Sequence, residues 1–474
     1  MTELRSVYEH EMSLLTVCRA MTARGIRVDN DLRRQRIGAL ADAAELLTTK
    51  AEPLVAALRP KLKRADLLWK RKVCKACRNG KKKRLSCTSC SGAGSAEQFL
   101  LKLGSGHQLK DILYNALRLP RRSQAGKETT DEEALQSLLA LDKSGLVALA
   151  LRYAKLATMR EIYERVAPGP DGRVRTVFNP AGTYTGRFSA SGAFYWPAST
   201  NLQNLPASEA ARDPLYRVRE CFIPAAGRVF LYADLSQAEA RVVACLAEDD
   251  YLLEAWQDPN WDAHRWTASK IFKKPLAEIT PQERFLGKRS RHALNYGLGV
   301  NKFWRYVNAD ADLTSVAITL KEAKVICEGY HALHPNLDGV WWNRVQAKLE
   351  REEPMVNCFG RVCQFYPRRD PFTDQIDQES LRAAIAWEPQ STISHLAKLG
   401  LLQLYNSEKS NGHQVLFEGH DSILLEVDQH RTRSAIRLAK KALEREIVVN
   451  GRKLTIPSEI FIGRRSWQEL ERVA

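Results

Sequence analysis

The chain has 474 residues, 44% of them hydrophobic, which is enough for sizeable cores in roughly two to four domains and excludes a disordered chain as the default. A formal charge of +17 favours an extended polyanionic partner over a small neutral ligand, although basic proteins can also simply have solvated faces. No run of 18 apolar residues and no signal-peptide core occurs, so a soluble, cytoplasmic protein without a membrane partner is expected.

In chain order, residues 3–60 read as helical, with Leu14, Leu15, Cys18 and Met21 spaced for one face; Ala23-Arg-Gly-Ile-Arg-Val-Asp29 then reads as a helix stop and an extended piece. Of ten cysteines, six (Cys18, Cys221, Cys245, Cys327, Cys358, Cys363) are scattered. The other four form two pairs, Cys74-Lys-Ala-Cys77 and Cys87-Thr-Ser-Cys90, in a segment crowded with lysine and arginine. Four thiolates at this spacing can hold one structural Zn²⁺; a redox dithiol pair or buried free cysteines are the alternatives. The lysines between the pairs could meet phosphates or form a solvated loop. Leu103 to Ala167 is helical and basic, and Thr183-Tyr-Thr-Gly-Arg187 and Asn201-Leu-Gln203-Asn204 are rich in turn formers.

Val229 to Ala233 form an apolar run ending on Asp234, and a helix is expected directly after it, with Ser236 and Glu239 as a capping box. From Thr280 to Gly297, Arg284, Lys288, His292 and Tyr296 recur every four residues and so form one slowly turning stripe; a basic solvated face is the alternative. Val415 to Val427 read as two strands flanking Gly-His-Asp-Ser, which displays Asp421 at a hairpin tip. Two aspartates on rigid strands suit a pair of hard divalent cations in phosphoryl transfer, while singly each could be only a cap or a turn residue.

Asp234-Leu-Ser-Gln-Ala-Glu-Ala-Arg241 and His420-Asp-Ser422 resemble motifs A and C of the family A DNA polymerases, the bacterial DNA polymerase I type, whose usual forms are Asp-Tyr-Ser-Gln-Ile-Glu-Leu-Arg and His-Asp-Glu. The Arg284 to Gly297 stretch resembles the Arg-x3-Lys-x3-Phe-x3-Tyr-Gly helix between them. A second register, matching Asn295-Tyr296-Gly297 to the family's internal Asn-Phe-Gly, would put His292 where lysine is needed. Thr183 to Ser191, Asn201 to Pro206, Asn357 to Pro367, Glu379 to His395 and Ile456 to Trp467 are similar to further family segments. Leu103 to Leu135 resembles the family thumb. Only the cysteine segment has no family counterpart.

The resemblance implies an α+β right-hand polymerase: an antiparallel palm sheet with helical fingers and thumb. Residues 1–165 would form N-terminal helices and thumb with the zinc knuckle at 74–90, residues 166–250 and 371–474 the palm, and residues 251–370 the fingers. It implies template-directed addition of dNTPs to a primer, with Asp234 and Asp421 as catalytic ligands of two Mg²⁺. Arg284, Lys288, His292, Tyr296, Glu239 and His264 would bind the nucleotide, Glu239 also excluding a ribose 2′-hydroxyl. Arg187, Gln203, Asn204, Arg382, Gln390 and His420 would bind the DNA primer-template. Zn²⁺ would be held by Cys74, Cys77, Cys87 and Cys90.

No exonuclease domain is expected, which suits a phage or bacterial system in which a separate exonuclease or a processivity factor is a candidate partner. His292 stands where Phe or Tyr is usual, Ala386 where Asn is usual, and Ser422 in place of the motif C glutamate. The rival readings are a catalytically inactive zinc-containing nucleic-acid-binding protein and a relative of the single-subunit RNA polymerases. Asp234 and Asp421 beside Arg284 and Lys288 argue against the first, because a binding module does not need acids facing a polyanion; Glu239 argues against the second.

Overall fold

The computed structural model describes residues 2–74, 87, 95–192, 199–206, 213–258, 260–309 and 311–473. It divides into one unit of Met1–Asn30 with Arg165–Ala474 and another of Asp31–Glu164. Within the described residues no helix is long and apolar enough to cross a membrane.

The elements of the first unit that frame the site are, in order, helix α1 (Thr2–Arg24), strand β1 (Arg228–Leu235), helices α2 (Ala238–Leu246), α3 (Ala263–Phe272), α4 (Pro281–Leu294) and α5 (Gln378–Asn406), strands β2 (His413–Glu418) and β3 (Ser422–Asp428), helix α6 (Thr432–Leu443), and strands β4 (Ser458–Gly463) and β5 (Leu470–Arg472). The five strands form one antiparallel sheet in the order β2-β3-β1-β4-β5. Successive strand residues point to opposite faces, and in β1 both parities are buried, as Val229, Phe230, Leu231 and Ala233 show. The centre of the sheet is therefore covered on both faces, which is why β1 and β3 read as continuous apolar runs rather than alternating ones.

Residues 1–30, the first of the expected N-terminal helices, fall in the unit that contains the sheet. Helix α1 buries Leu14, Val17 and Met21 there, and an ionic cluster ties it in as well: Lys398 Nζ on α5 donates to both Glu11 oxygens at 2.7 and 2.8 Å and to the Pro180 carbonyl at 2.6 Å, and Arg361 also bonds Glu11. Lys398 is wholly buried, so removing Glu11 would strand a charge in the core.

The second unit carries the long helices Asn30–Ala57 and Leu146–Arg165 and a hairpin of Trp69–Val73 with Ser95–Phe99. Buried Gln108 staples it together, its amide donating to the Leu67 and Leu100 carbonyls and accepting from the Lys102 amide.

Candidate active site

Asp234 is the penultimate residue of β1, paired with Ser422 on β3 and with Glu459 on β4. Asp421 precedes β3 by one residue, in the turn between two strands as expected, and its carbonyl accepts from the Leu235 amide at 3.0 Å, which sets it beside the end of β1 that carries Asp234. The turn between β2 and β3 is tight: the Gly419 amide donates to the Ser422 carbonyl at 2.8 Å, the Asp421 amide to the Gly419 carbonyl at 3.0 Å, and His420 adopts φ +75°. A left-handed conformation is uncommon outside glycine, so the turn is held by its bonds rather than by local preference. Burial, and then the neighbouring Glu239 carboxylate, push the Asp421 carboxyl up to about 6.

The helix after β1 does not begin as expected. Its N-cap is Gln237, with φ +51° and no side-chain cap, because β1 runs on to Leu235. Ser236 instead bonds Glu459 at 3.3 Å. Glu239, released from a capping role, is gripped by Arg187 and by the Tyr296 hydroxyl, which donates at 2.5 Å. Burial and Glu239 raise the Tyr296 pKa well above the ordinary value, so the phenol stays a neutral donor.

Helix α4 opens with Pro281 after the Thr280–Glu283 capping box, which fixes where the stripe starts. Arg284 and Lys288 lie on it with His292, but the helix ends at Leu294 and Tyr296 stands in the turn beyond, closed by Gly297 at φ +70°. Arg284 is tethered, its Nε donating to Asp262, the N-cap of α3, at 2.5 Å. Gly287 sits where α3 and α4 touch: a Cβ there would lie 2.2 Å from the His264 carbonyl oxygen. That approach brings His264 to the wall; burial, then the charge of Arg291, push its pKa down to about 3, so it is a neutral imidazole. His292 is exposed at the rim; desolvation, then Lys288, hold its pKa below the ordinary value.

One cavity of about 460 Å³ is lined by Asp234, Asp421, Glu239, His264, Arg284, Lys288, His292 and Tyr296 together. A second, of about 650 Å³, lies on the other side of His292 and Tyr296, walled by Arg382, Ala386 and Gln390 from α5. Arg187 and His420 line neither cavity, although Arg187 bonds Glu239 of the first and His420 precedes Asp421; burial, then Arg187, push the His420 pKa down to about 4. Gln203 bonds Glu418 at the end of β2, whereas Asn204 is exposed and lines neither cavity. Sequence reasoning missed Asp262, Gly287, Glu418 and Arg291, the last buried in the cavity wall with its guanidinium over Trp256 at 5.4 Å. The Asp262 N-cap before His264 was a local signal; the others had none.

Among the described residues no three His, Cys, Asp or Glu side chains are grouped to hold a metal. The two aspartates nonetheless fit hard cations: they are oxygen donors on rigid strands facing one cavity, and a cation would relieve the buried Asp421 charge. A pair of protein carboxylates leaves the remaining positions to substrate oxygens and water. Of the expected zinc ligands, Cys77 and Cys90 lie outside the described residues. Cys74 and Cys87 have sulfurs 3.7 Å apart, too far for a disulfide and close to the edge of a tetrahedron with metal–sulfur bonds of about 2.3 Å.

The family described as DNA polymerase family A matches residues 75–469. The thermostable DNA polymerase I of Thermus aquaticus is 28% identical over 371 residues, 76% of this chain and 41% of that protein. DNA polymerase I of Pseudomonas aeruginosa is 30% identical over 336 residues, 69% of this chain and 34% of that protein. The chain thus spans well under half the length of these curated relatives. The POL domain of Pol1 from M. smegmatis, solved in complex with DNA primer-template and dNTP, shares the fold with TM-score 0.73 at 24% identity, over 97% of this chain and 70% of that one.

Proposed function

Because the chain belongs to DNA polymerase family A, we propose that it extends a DNA primer on a template, adding dNTPs by nucleotidyl transfer. The observation that carries this reading is the single cavity facing two strand-borne carboxylates against the cationic face of α4.

Asp234 and Asp421 would hold two Mg²⁺, which when bound lower the pKa of the primer 3′-hydroxyl and offset charge on the leaving pyrophosphate. Arg284 and Lys288 hold the triphosphate of the incoming nucleotide, where positive charge gains most as negative charge builds on the leaving group. Arg284 holds Asp262 through Nε alone, which leaves its two terminal nitrogens to donate to the phosphates. His264, neutral and buried, contacts the phosphates without adding charge. Glu239, clamped from two sides, forms the wall that a ribose 2′-hydroxyl would strike; Glu239→Ala should therefore admit ribonucleotides. His292 packs on base and sugar, and Tyr296 marks the templating pair. Arg187, Gln203, Asn204, Arg382, Gln390 and His420 face the primer-template, the cavity beyond Tyr296 taking the template side.

The second unit is read as the thumb, carrying a Cys74, Cys77, Cys87, Cys90 zinc site at the end of its hairpin. One zinc per chain, lost in Cys74→Ser, is the expected stoichiometry. The setting is proposed to be a bacterial or phage-infected cytoplasm.

The deciding experiment is extension of a labelled primer with Mg²⁺ and dNTPs by wild type and by Asp421→Ala. Extension by wild type alone supports the reading. Equal binding of the primer-template with no extension by either protein, with Mn²⁺ and rNTPs also tried, would leave only a nucleic-acid-binding role.

A further inference from the structure

Glu418 closes β2 just before the turn that presents Asp421, and its residue is 1% exposed. Its carboxylate is bonded to neutral amides: Oε1 accepts from the His420 backbone N–H at 2.8 Å and Oε2 from Gln203 Nε2 at 3.0 Å. A carboxylate buried against amides costs more to desolvate than a glutamine or an apolar side chain of similar shape, so packing alone does not explain it. Burial accordingly pushes its pKa up to about 8, with Lys398 on α5 and Arg187 pulling the other way and Asp421 adding to the rise.

The two partners of Glu418 belong to the two halves of the reaction proposed above, and the inference rests on that reading. His420 is the left-handed residue of the turn, and its amide bond to Glu418 fixes the peptide from which Asp421 projects. Gln203 Nε2 donates a second bond, to the Glu418 carbonyl at 3.2 Å. A backbone carbonyl can only accept, so the Gln203 amide nitrogen faces inward whatever the protonation of the carboxyl. With both amide hydrogens engaged there, its Oε1 remains the acceptor turned to a DNA partner.

We propose that Glu418 is a positioning residue that locks the Asp421 turn and the Gln203 side chain to one another, so that metal ligand and primer-template contact are set as one piece. Misplacing the turn would weaken metal binding, and freeing Gln203 would loosen the primer end. Either change should slow the chemical step more than it alters nucleotide binding, because Arg284 and Lys288 stand on a different element.

The test is single-turnover primer extension by wild type, Glu418→Ala, Glu418→Gln, Gln203→Ala and the Glu418→Ala/Gln203→Ala double variant, with a Mg²⁺ titration and a melting temperature for each. Glu418→Ala should slow extension about 10–100-fold and raise the Mg²⁺ needed for half-maximal rate, with dNTP half-saturation changed by less than about twofold. The double variant should be no slower than the worse single variant, and Glu418→Gln should melt no lower than wild type while still requiring more Mg²⁺. Multiplying effects in the double variant, or lowered melting with an unchanged Mg²⁺ requirement, would overturn the inference. A wild type that does not extend primers at all would instead remove the polymerase reading on which it stands.

Discussion

Asp234 near the end of β1 and Asp421 in the turn that enters the adjacent β3 are placed by backbone bonds, whereas Arg284 and Lys288 reach into the same cavity on long side chains from a helix face. The acids have short stems, and both are half-buried. Lys288 is exposed, and Arg284 is already bonded to Asp262. The acidic wall is therefore preformed, while on the basic wall Arg284 is tethered and only Lys288 keeps rotamer freedom. Preorganised dipoles and charges stabilise a transition state best when they need not reorganise, which suits the metal-holding role proposed for the acidic side.

Four measurements break or sharpen this contrast. On the proposed function Lys288→Ala removes a charge that faces the transition state from an exposed position, so kcat/KM should fall on the order of 10²-fold while melting is nearly unchanged. A matching loss of stability would mean that the basic wall is as built-in as the acidic one. Gly287→Ala, placing a methyl against the His264 carbonyl, should force α3 and α4 apart at a cost of about 1–3 kcal/mol, read by denaturant unfolding. Its KM for dNTP should rise along with that loss.

The third concerns pH. The Asp421 carboxyl lies at about 6 in the folded chain against an ordinary 3.8, so the native state holds the proton more tightly than the unfolded chain. Its contribution to stability is complete below the ordinary value and is lost as pH rises through about 6. A cation binds the ionised form, so the rise in melting temperature on adding Mg²⁺ should be small near pH 5 and full by about pH 8. A pH-independent rise would place the cation away from Asp421. The smallest effect is expected from Asp262→Asn, which frees Arg284 from a half-exposed ion pair worth about 0–1 kcal/mol. Its dNTP half-saturation should drop by roughly fivefold at most.

Much of this was legible in local sequence. An apolar run ending on Asp234, a turn-forming tetrad around Asp421 and a four-residue repeat through Arg284, Lys288 and His292 each name their element, because strand and helix periods are properties of a few neighbouring residues. The failures are also instructive. Ser236 and Glu239 have capping-box spacing, yet the strand runs one residue further than the apolar pattern implied and Glu239 is taken by Arg187 and Tyr296. The resemblance groups residues 1–165 as N-terminal helices and thumb, and the helix at Thr2–Arg24 falls in the unit with the sheet, where Glu11 is bonded by Lys398 and Arg361.

What the sequence by itself determined, then, is the set of elements and the chemistry each displays: acids at strand ends, cations along a helix face, paired cysteines in a basic segment. Only the tertiary structure decided which of these meet. Strand register set Asp234 beside the hairpin of Asp421, a missing Cβ at Gly287 let His264 approach the cationic helix, and burial turned Glu418 from a strand residue into a bridge between Gln203 and the Asp421 turn. Local patterns are written in backbone preference and periodicity, whereas partners distant in the chain are chosen by packing and by the need to satisfy every buried polar group, which no short stretch of sequence contains.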